Sequence, residues 1–189
     1  MNTQFFTGVG DTGESQLGQK RISKDNPLFD VLGAFDELNA FSGWCVVEAG
    51  KIKKDVPRIS EIEENVKELQ EMMFIAQAEI ASLEVDLGPL QKITLEKIER
   101  LNEIIKKVDS ELPPITKFII PGESELGVRL DMARVRARDA ERVLVHLGHT
   151  KEIQPELLSF ANRLSSVYFA LARFANFLLG EQEKNPSYK

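Results

Sequence analysis

The chain has 189 residues, a net charge of −6 and a single cysteine. This length is enough for one domain with a substantial core, and the negative charge argues against a broad nucleic-acid-binding surface, which needs clustered positive charge. One cysteine cannot form an internal disulfide, so we expect a reducing compartment, the cytoplasm. The N-terminal residues lack the pattern of a signal peptide, and no uncharged apolar run reaches the ~18 residues of a membrane span.

Residues 1–25 have no helical period and are rich in Gly, Thr, Ser and Gln, which predicts an ordered loop or a flexible arm. Residues 8–13, Gly-Val-Gly-Asp-Thr-Gly, match the spacing G-x-G-x-x-G. A dinucleotide site is excluded, because that motif needs a buried strand before it and a helix after it. Two interpretations stay open, a plain surface turn and a loop whose backbone amides cradle phosphate oxygens. Lys20, Arg21 and Lys24 follow, as solvated charges or as phosphate ligands.

Five helical segments follow this N-terminal part. The first begins at Asn26-Pro27, a cap followed by a proline at the first helical position, and extends to about residue 49. A capping box at Ser60 and Glu63 predicts the second helix, to about residue 86, and the third covers about 94–108. An extended apolar run at 115–120 precedes the fourth helix at 124–147, and the fifth covers 155–180. This pattern predicts one all-α domain over residues 26–180, an antiparallel five-helix bundle, with a polar, frayed tail at 181–189.

One face of the first helix carries small residues and an aspartate: Gly33, Asp36, Ala40 and Gly43. Glycine inside a helix costs about 1 kcal/mol relative to alanine, so this face indicates a close contact. That contact is either tight helix–helix packing, with Asp36 as a salt-bridge partner, or a functional one. The residues alone leave both possibilities open.

The fourth helix carries arginines beside its predicted core stripe. On a wheel of about 100° per residue, the stripe consists of Leu126, Leu130, Ala133, Ala137, Ala140, Leu144 and Leu147. Arg134, Arg138 and Glu141 lie on its flank, where a half-desolvated arginine needs an anionic partner. Pairing along the helix with Glu141 or Asp131 is worth only a few tenths of a kcal/mol. The pattern therefore favours a phosphate or a carboxylate of another subunit.

The fifth helix is apolar on more than one side. Besides its core stripe it has a second apolar row, Phe160, Val167 and Phe174, and a third row that includes Ser165 and Phe169. A helix that is apolar on several sides is buried on several sides. We therefore hypothesise that another subunit covers part of it.

The sequence offers little support for a metal centre. His146 and His149 lie at or just past the end of the fourth helix, where imidazolium suits the helix dipole. No Glu-x-x-His motif occurs, so the di-iron chemistry of ferritin-like bundles is not supported. Cys45 is interpreted as a small core residue.

Six short motifs occur in a fixed order along the chain. They are Thr7-x-x-Gly10-Asp11-x-Gly13, Arg21-x-x-Lys24, Asp36-Glu37-Leu38-Asn39, Phe118-Ile119-Ile120-Pro121-Gly122, Ala133-Arg134-x-x-x-Arg138-x-Ala140-Glu141-Arg142 and Asn162-Arg163-Leu164-Ser165. In this order and spacing the chain resembles the PduO-type ATP:cob(I)alamin adenosyltransferases, from about residue 6 to about 179. Each motif alone is weak, and the specificity comes from their combination.

The resemblance implies a homotrimer of ferritin-like five-helix bundles with active sites between subunits. It implies that the N-terminal segment 1–25 wraps ATP and that residues across the interface complete the nucleotide site. The implied ATP-binding residues are Thr7, Gly8, Val9, Gly10, Asp11, Ser15, Gln16, Lys24, Arg138, Glu141, Arg142 and Asn162. The implied catalytic group is Asp36, Phe118, Arg134 and Arg138, with Asp36 paired to Arg134 of the neighbouring subunit and Phe118 under the corrin ring.

The implied reaction moves the 5′-deoxyadenosyl group of ATP to the cobalt of cob(I)alamin, giving adenosylcobalamin and triphosphate. Mg²⁺ would be held mainly by the ATP phosphates rather than by protein side chains. A reductase and an adenosylcobalamin-dependent enzyme are the implied partners, with no nucleic acid and no membrane.

Three positions depart from the family pattern. Gly8 stands where the family often has Lys or Arg, Asp139 where it usually has Arg, and Ser15 where Thr is common. Gly8 and Asp139 support an alternative, an ATP- and cobalamin-binding escort or regulatory protein of the same fold with weak or no transferase activity. A purely structural oligomeric bundle is a further alternative.

Overall fold

The computed structural model describes residues 8–188. These residues form a short hairpin followed by five helices: β1 Glu14–Leu17, β2 Lys20–Ser23, α1 Pro27–Ile52, α2 Ile59–Ala81, α3 Leu95–Asp109, α4 Glu125–Leu147 and α5 Pro155–Leu178. The prediction of a five-helix bundle is confirmed. None of these helices is long and apolar enough to cross a membrane.

Local sequence explains where most helices begin. Asn26 caps α1 by accepting a hydrogen bond from the Leu28 amide, with Pro27 in the first turn, and the hydroxyls of Thr94 and Ser124 cap α3 and α4 in the same way. Each of these caps satisfies an amide that has no partner within its own helix.

The start and the end predicted for α2 are wrong. The helix begins at Ile59, one residue before Ser60, and Arg58 at the N-cap makes no side-chain cap hydrogen bond. Glu63 does not close a capping box, because its carboxylate binds the ammonium groups of Lys53 at 2.5 Å and Lys67 at 2.6 Å. The helix ends at Ala81 rather than near residue 86, since the chain turns there and the Ser82 hydroxyl donates to the Glu79 carbonyl oxygen at 2.6 Å.

The core lies between α4 and its neighbours. α4 packs against α1 and α5, α2 packs against α1, and α3 packs against α5. The predicted stripe of α4 is buried along its whole length. The second apolar row of α5 is also buried within the single chain, so it does not require another subunit to cover it.

A polar pair lies inside the core between α1 and α5. The hydroxyls of Ser42 and Tyr168 are 2.6 Å apart, and Tyr168 is fully buried. Burial raises the pKa of the Tyr168 hydroxyl, which therefore stays protonated. The hydrogen bond satisfies two groups that would otherwise be costly to bury.

The hairpin β1–β2 was not predicted, since the sequence indicated a loop or an arm in this region. Its strands are antiparallel, with Ser15 opposite Ile22 and Leu17 opposite Lys20. Gly18 begins the two-residue turn with φ +56°, and a Cβ there would lie 3.2 Å from Leu87 Cδ2. The hairpin therefore rests on the chain that follows α2.

The segment between α3 and α4 is extended, as the sequence predicts. It has no regular secondary structure apart from one bridge, in which the Ile120 amide donates to the Lys184 carbonyl oxygen at 2.8 Å. The C-terminal tail, expected to be frayed, makes this bridge and further specific contacts with the segment. Asn185 Nδ2, for example, donates to the Phe118 carbonyl oxygen at 2.8 Å.

Candidate functional site

A cleft of about 470 Å³ opens between the 115–119 segment and the helices α4 and α5. It is lined by Ile115, Lys117, Phe118, Ile119, Arg134, Arg138, Ser165, Ser166 and Phe169. Three residues of the implied catalytic group, Phe118, Arg134 and Arg138, therefore meet in one place. The lining combines apolar side chains with cationic ones, which suits a ligand with an apolar part and an anionic part.

The two cleft arginines differ in what they bind. Arg134 Nε donates to Asp131 Oδ1 at 2.7 Å, and its guanidinium lies 5.9 Å from the centre of the Phe169 ring. Arg138 is exposed and forms no hydrogen bond or ion pair with any residue between 8 and 188. Of these two arginines, only Arg134 pairs with a carboxylate of its own helix, which was one of the two possibilities that the sequence left open. Arg138 is available for an anionic ligand.

A second group of implied ATP-binding residues lies about one helical turn beyond Arg138. Asn162 Nδ2 on α5 donates to Glu141 Oε1 on α4 at 2.7 Å, which joins two of these residues. Arg142 Nη1 donates to Asp139 Oδ1 at 2.9 Å. Asp139 is also 3.5 Å from Arg136. Asp139, which departs from the family pattern, thus pairs with Arg142, the arginine that is expected to bind the nucleotide.

The N-terminal residues form a group held by their own contacts. Lys24 Nζ donates to the Gly10 carbonyl oxygen at 2.8 Å, and the Lys24 amide donates to the Gly13 carbonyl oxygen at 2.8 Å. Arg21 Nη2 donates to the Val9 carbonyl oxygen at 2.8 Å. These bonds fold the glycine-rich run into a compact turn. The turn lies next to Lys24, the cation that is expected to bind the triphosphate.

The remaining N-terminal predictions fall on the turn and on β1. Ser15 is half-buried, and Gln16 Nε2 donates to the Gly18 carbonyl oxygen at 2.7 Å. Gly8 has φ +72°, a conformation that a lysine or arginine would adopt only with strain. The glycine at this position therefore suits the local backbone. Thr7 lies outside the described residues.

Asp36 makes no ion pair with either cleft arginine of its own chain. It is exposed on α1 and forms no ion pair with any residue in the described range 8–188. The small-residue face around it, Gly33 and Ala40, is exposed as well. Packing within the bundle, one of the two explanations left open by the sequence, accounts for Gly43, which is half-buried beside Gln70 of α2, but not for the rest of this face.

Sequence reasoning missed two features of the cleft. The first is Lys117, which adds a lysine to the two arginines of the cleft and lies beside Phe118. In the sequence it is distinguished only as a charged residue within an otherwise apolar run. Phe169 lies under Arg134, and its signal was its place in the third row of α5.

The described residues contain no group of three or more His, Cys, Asp or Glu side chains that is placed to hold a metal ion. The rings of His146 and His149 contact each other at 5.5 Å on the exposed end of α4. Burial raises the pKa of the Cys45 thiol to about 12, so that thiol is a poor nucleophile near neutral pH.

Fold and cleft together define a helical-bundle protein with a partly cationic ligand cleft. The family model for cobalamin adenosyltransferase matches residues 5–175, and the chain belongs to this family. The family predicted from the six motifs is confirmed.

Curated relatives agree with this assignment. The corrinoid adenosyltransferase PduO of Citrobacter freundii is 38% identical over 172 residues, which are 89% of this chain and 49% of that protein. A second corrinoid adenosyltransferase of Citrobacter freundii is 32% identical over 90% of this chain and 93% of its own length. The corrinoid adenosyltransferase of Bacillus subtilis is 32% identical over 92% and 86%. The chain thus spans about half of the PduO relative and most of the other two.

A solved structure has the same fold. It is a variant PduO-type ATP:corrinoid adenosyltransferase from Lactobacillus reuteri complexed with cobalamin and ATP. The TM-score is 0.85 with 26% sequence identity, and the match covers 97% of each chain. These relatives are named as transferases, so the escort alternative is not favoured.

Proposed function

We propose that the protein transfers the 5′-deoxyadenosyl group of ATP to the cobalt of cob(I)alamin and releases triphosphate. The observation that carries this proposal is the cleft that places exposed Phe118 beside Arg134 and an unpaired Arg138, in a chain of this family. The Lactobacillus reuteri protein complexed with cobalamin and ATP supports both substrates.

The reaction does not depend on acid–base catalysis by the protein. In this reaction the cob(I)alamin cobalt supplies the electron pair for the new bond to the ribose 5′ carbon, and the bond from that carbon to the triphosphate oxygen breaks. The nucleophile belongs to the substrate, so no general base is needed. The protein must align the substrates, stabilise the leaving triphosphate and keep water out.

The described side chains suit these tasks. Arg138 binds the triphosphate directly, and Lys24 with the Gly10–Gly13 turn contributes a second cationic site. Glu141 and Asn162 hold the nucleoside part, since their mutual hydrogen bond leaves donors and acceptors free for it. Mg²⁺ is carried by the ATP phosphates.

Phe118 packs against the corrin ring. Its side chain is 79% exposed, and a large exposed aromatic side chain is a contact surface for a flat ligand. An apolar contact here also excludes water from the reacting cobalt.

The sites lie between the subunits of a homotrimer. Support comes from the contacts of the N-terminal cations. Among the described residues, Arg21 and Lys24 bond to carbonyl oxygens of their own segment and Lys20 to the carbonyl oxygen of Glu84, whereas Arg138 lies in the cleft at 115–119, α4 and α5. Asp36 pairs with Arg134 of the neighbouring subunit. A reductase in the cytoplasm supplies cob(I)alamin, and an adenosylcobalamin-dependent enzyme receives the product.

An anaerobic assay tests the function. The protein is mixed with Mg-ATP and chemically reduced cobalamin, and the absorption spectrum of adenosylcobalamin is followed. Arg138→Ala should lower kcat/KM by about 100-fold, since it removes a charge that stabilises the leaving group. Arg100→Ala is the matched control, because Arg100 pairs with Glu68 on the α2–α3 surface. Normal turnover by Arg138→Ala would contradict the site, and binding of both substrates without product would contradict the function.

A further inference from the structure

We propose that the C-terminal tail, residues 181–188, positions Phe118 for the corrinoid, with Arg173, Glu183 and Asn185 as the positioning residues. The proposal rests on the transferase function and adds residues that the six motifs do not include.

The Phe118 segment has little that holds it from within. Residues 113–122 contain no helix or strand, and the Phe118 side chain points into solvent at 79% exposure. A segment with so few buried contacts of its own takes its position from its neighbours.

Those neighbours are largely the tail and α5. Asn185 Nδ2 donates to the carbonyl oxygen of Phe118 itself at 2.8 Å. Two residues later, the Ile120 amide donates to the Lys184 carbonyl oxygen at 2.8 Å. Because both bonds act on the backbone, they fix where the Phe118 side chain begins and leave its ring free for a ligand.

Arg173 joins the tail to the other end of the segment. It is only 5% exposed, and its guanidinium donates to both carboxylate oxygens of Glu183, at 2.6 Å and 3.1 Å. The same guanidinium donates to the Pro113 carbonyl oxygen at 3.0 Å. A bidentate, largely buried pair has little freedom. One buried arginine therefore connects the start of the segment with the tail that holds its end.

The tail also forms a surface beside the same phenylalanine. A second cleft, of about 420 Å³, is lined by Ile115, Thr116, Lys117, Phe118, Pro186 and Tyr188. Phe118 thus lies between a cleft lined by the arginines and a cleft lined in part by the tail. A shift of the tail changes both at once.

The kinetic test separates the two substrates. Asn185→Ala and Glu183→Gln each remove one link of this arrangement, and Ser187→Ala is the control, since Ser187 is exposed and makes no hydrogen bond to residues 113–122. We expect the two test variants to raise the KM for cob(I)alamin about fivefold and to leave the KM for ATP unchanged. An unchanged cobalamin KM in both, or an equal rise in both KM values, would overturn the proposal.

A second measurement needs no activity. Lys117 is the only lysine or arginine in residues 113–122, so trypsin reports on the mobility of this segment through one bond. Cleavage after Lys117 should be faster in Asn185→Ala and in a chain ended at Gly180 than in the wild type or Ser187→Ala. Unchanged cleavage refutes the tail as a support. Faster cleavage in these two variants, together with a wild type that forms no adenosylcobalamin, would instead keep the support and refute the transferase function.

Discussion

Asp139 is the residue that most changes the electrostatics of the nucleotide site. Its carboxylate accepts from Arg142 at 2.9 Å and lies 3.5 Å from Arg136. Arg142 is therefore paired within the chain, while Arg138 one turn earlier has no partner among residues 8–188. The Asp139 carboxylate opposes the binding of the ATP triphosphate in two ways. It repels the phosphates by like charge, and it keeps Arg142 in an ion pair.

Removing that charge should strengthen ATP binding. Asp139→Asn is expected to lower the KM for ATP about threefold to fivefold, an effect of the size of one exposed ion pair. The measurement is the KM at low and at high salt, since screening should shrink the difference. Asp55→Asn, in the exposed turn between α1 and α2, serves as the matched control. A higher KM in Asp139→Asn would mean that the carboxylate orients Arg142 rather than competing for it.

Glu63 gives a residue-scale test of stability. Hydrogen bonds from the ammonium groups of Lys53 and Lys67 lower the pKa of its carboxyl from the ordinary value of 4.5. A carboxyl with a lowered native pKa stabilises the fold above its ordinary pKa, and the stabilisation is lost as the pH falls through the native value.

Glu63→Gln should therefore destabilise the protein at neutral pH but not in acid. We expect a loss of about 1 kcal/mol in the free energy of unfolding at pH 7, because both lysines are largely exposed and screened. Urea unfolding at pH 7 and at pH 3 measures this, and the difference between wild type and variant should shrink in the acid series. A difference that persists undiminished at low pH would show that charge is not its cause.

At the scale of elements, the helices were readable from sequence and the hairpin was overlooked. Caps such as Asn26 and Ser124 fix helix starts through local bonds, so their signal lies in a few adjacent residues. The capping box at Ser60 failed because lysines outside the motif bind Glu63. A hairpin signal existed in Gly18-Gln19, a two-residue turn with glycine first, but its short polar strands show no core-facing alternation.

The hairpin gives an element-scale prediction. Gly18→Ala places a Cβ on a residue with φ +56° and only 3.2 Å from Leu87. The backbone strain and the close contact should move the turn away from the chain that follows α2. The KM for ATP should rise several-fold, because β1 and β2 connect the glycine-rich turn to Lys24, while the urea midpoint of the bundle should hardly change. Gly50→Ala is the matched control, since a Cβ there meets nothing within 4 Å. Equal KM values in the two variants would separate the hairpin from ATP binding.

The site itself was predictable only in part. Phe118, Arg134 and Arg138 came from the motifs of the family, and they meet in one cleft. The contact between Asn185 and Phe118 spans 67 positions and follows no periodicity, so nothing local in the sequence indicates it. Asp139 was recognisable as a departure, but only the geometry reveals which arginine it binds.

At the scale of the whole molecule, one outer face of α1 is not covered by any other part of residues 8–188. It carries Gly33, Asp36 and Ala40, and Val47 on the same face is 58% exposed. Small residues on an uncovered helix face let another backbone approach closely. This supports the proposed trimer, in whose interface we propose that Asp36 lies.

A charge exchange tests that interface. Asp36→Arg should convert the trimer to single chains of 21.3 kDa, because it sets two arginines against each other across the contact. Adding Arg134→Asp should restore the trimer, since the pair is then rebuilt with its signs exchanged. Mass from light scattering is the readout, and circular dichroism confirms that each variant folds. Asp30→Arg, an exposed position on another side of α1, should stay trimeric. A wild type with the mass of a single chain would refute the trimer, and a double variant as dissociated as Asp36→Arg would refute this pairing.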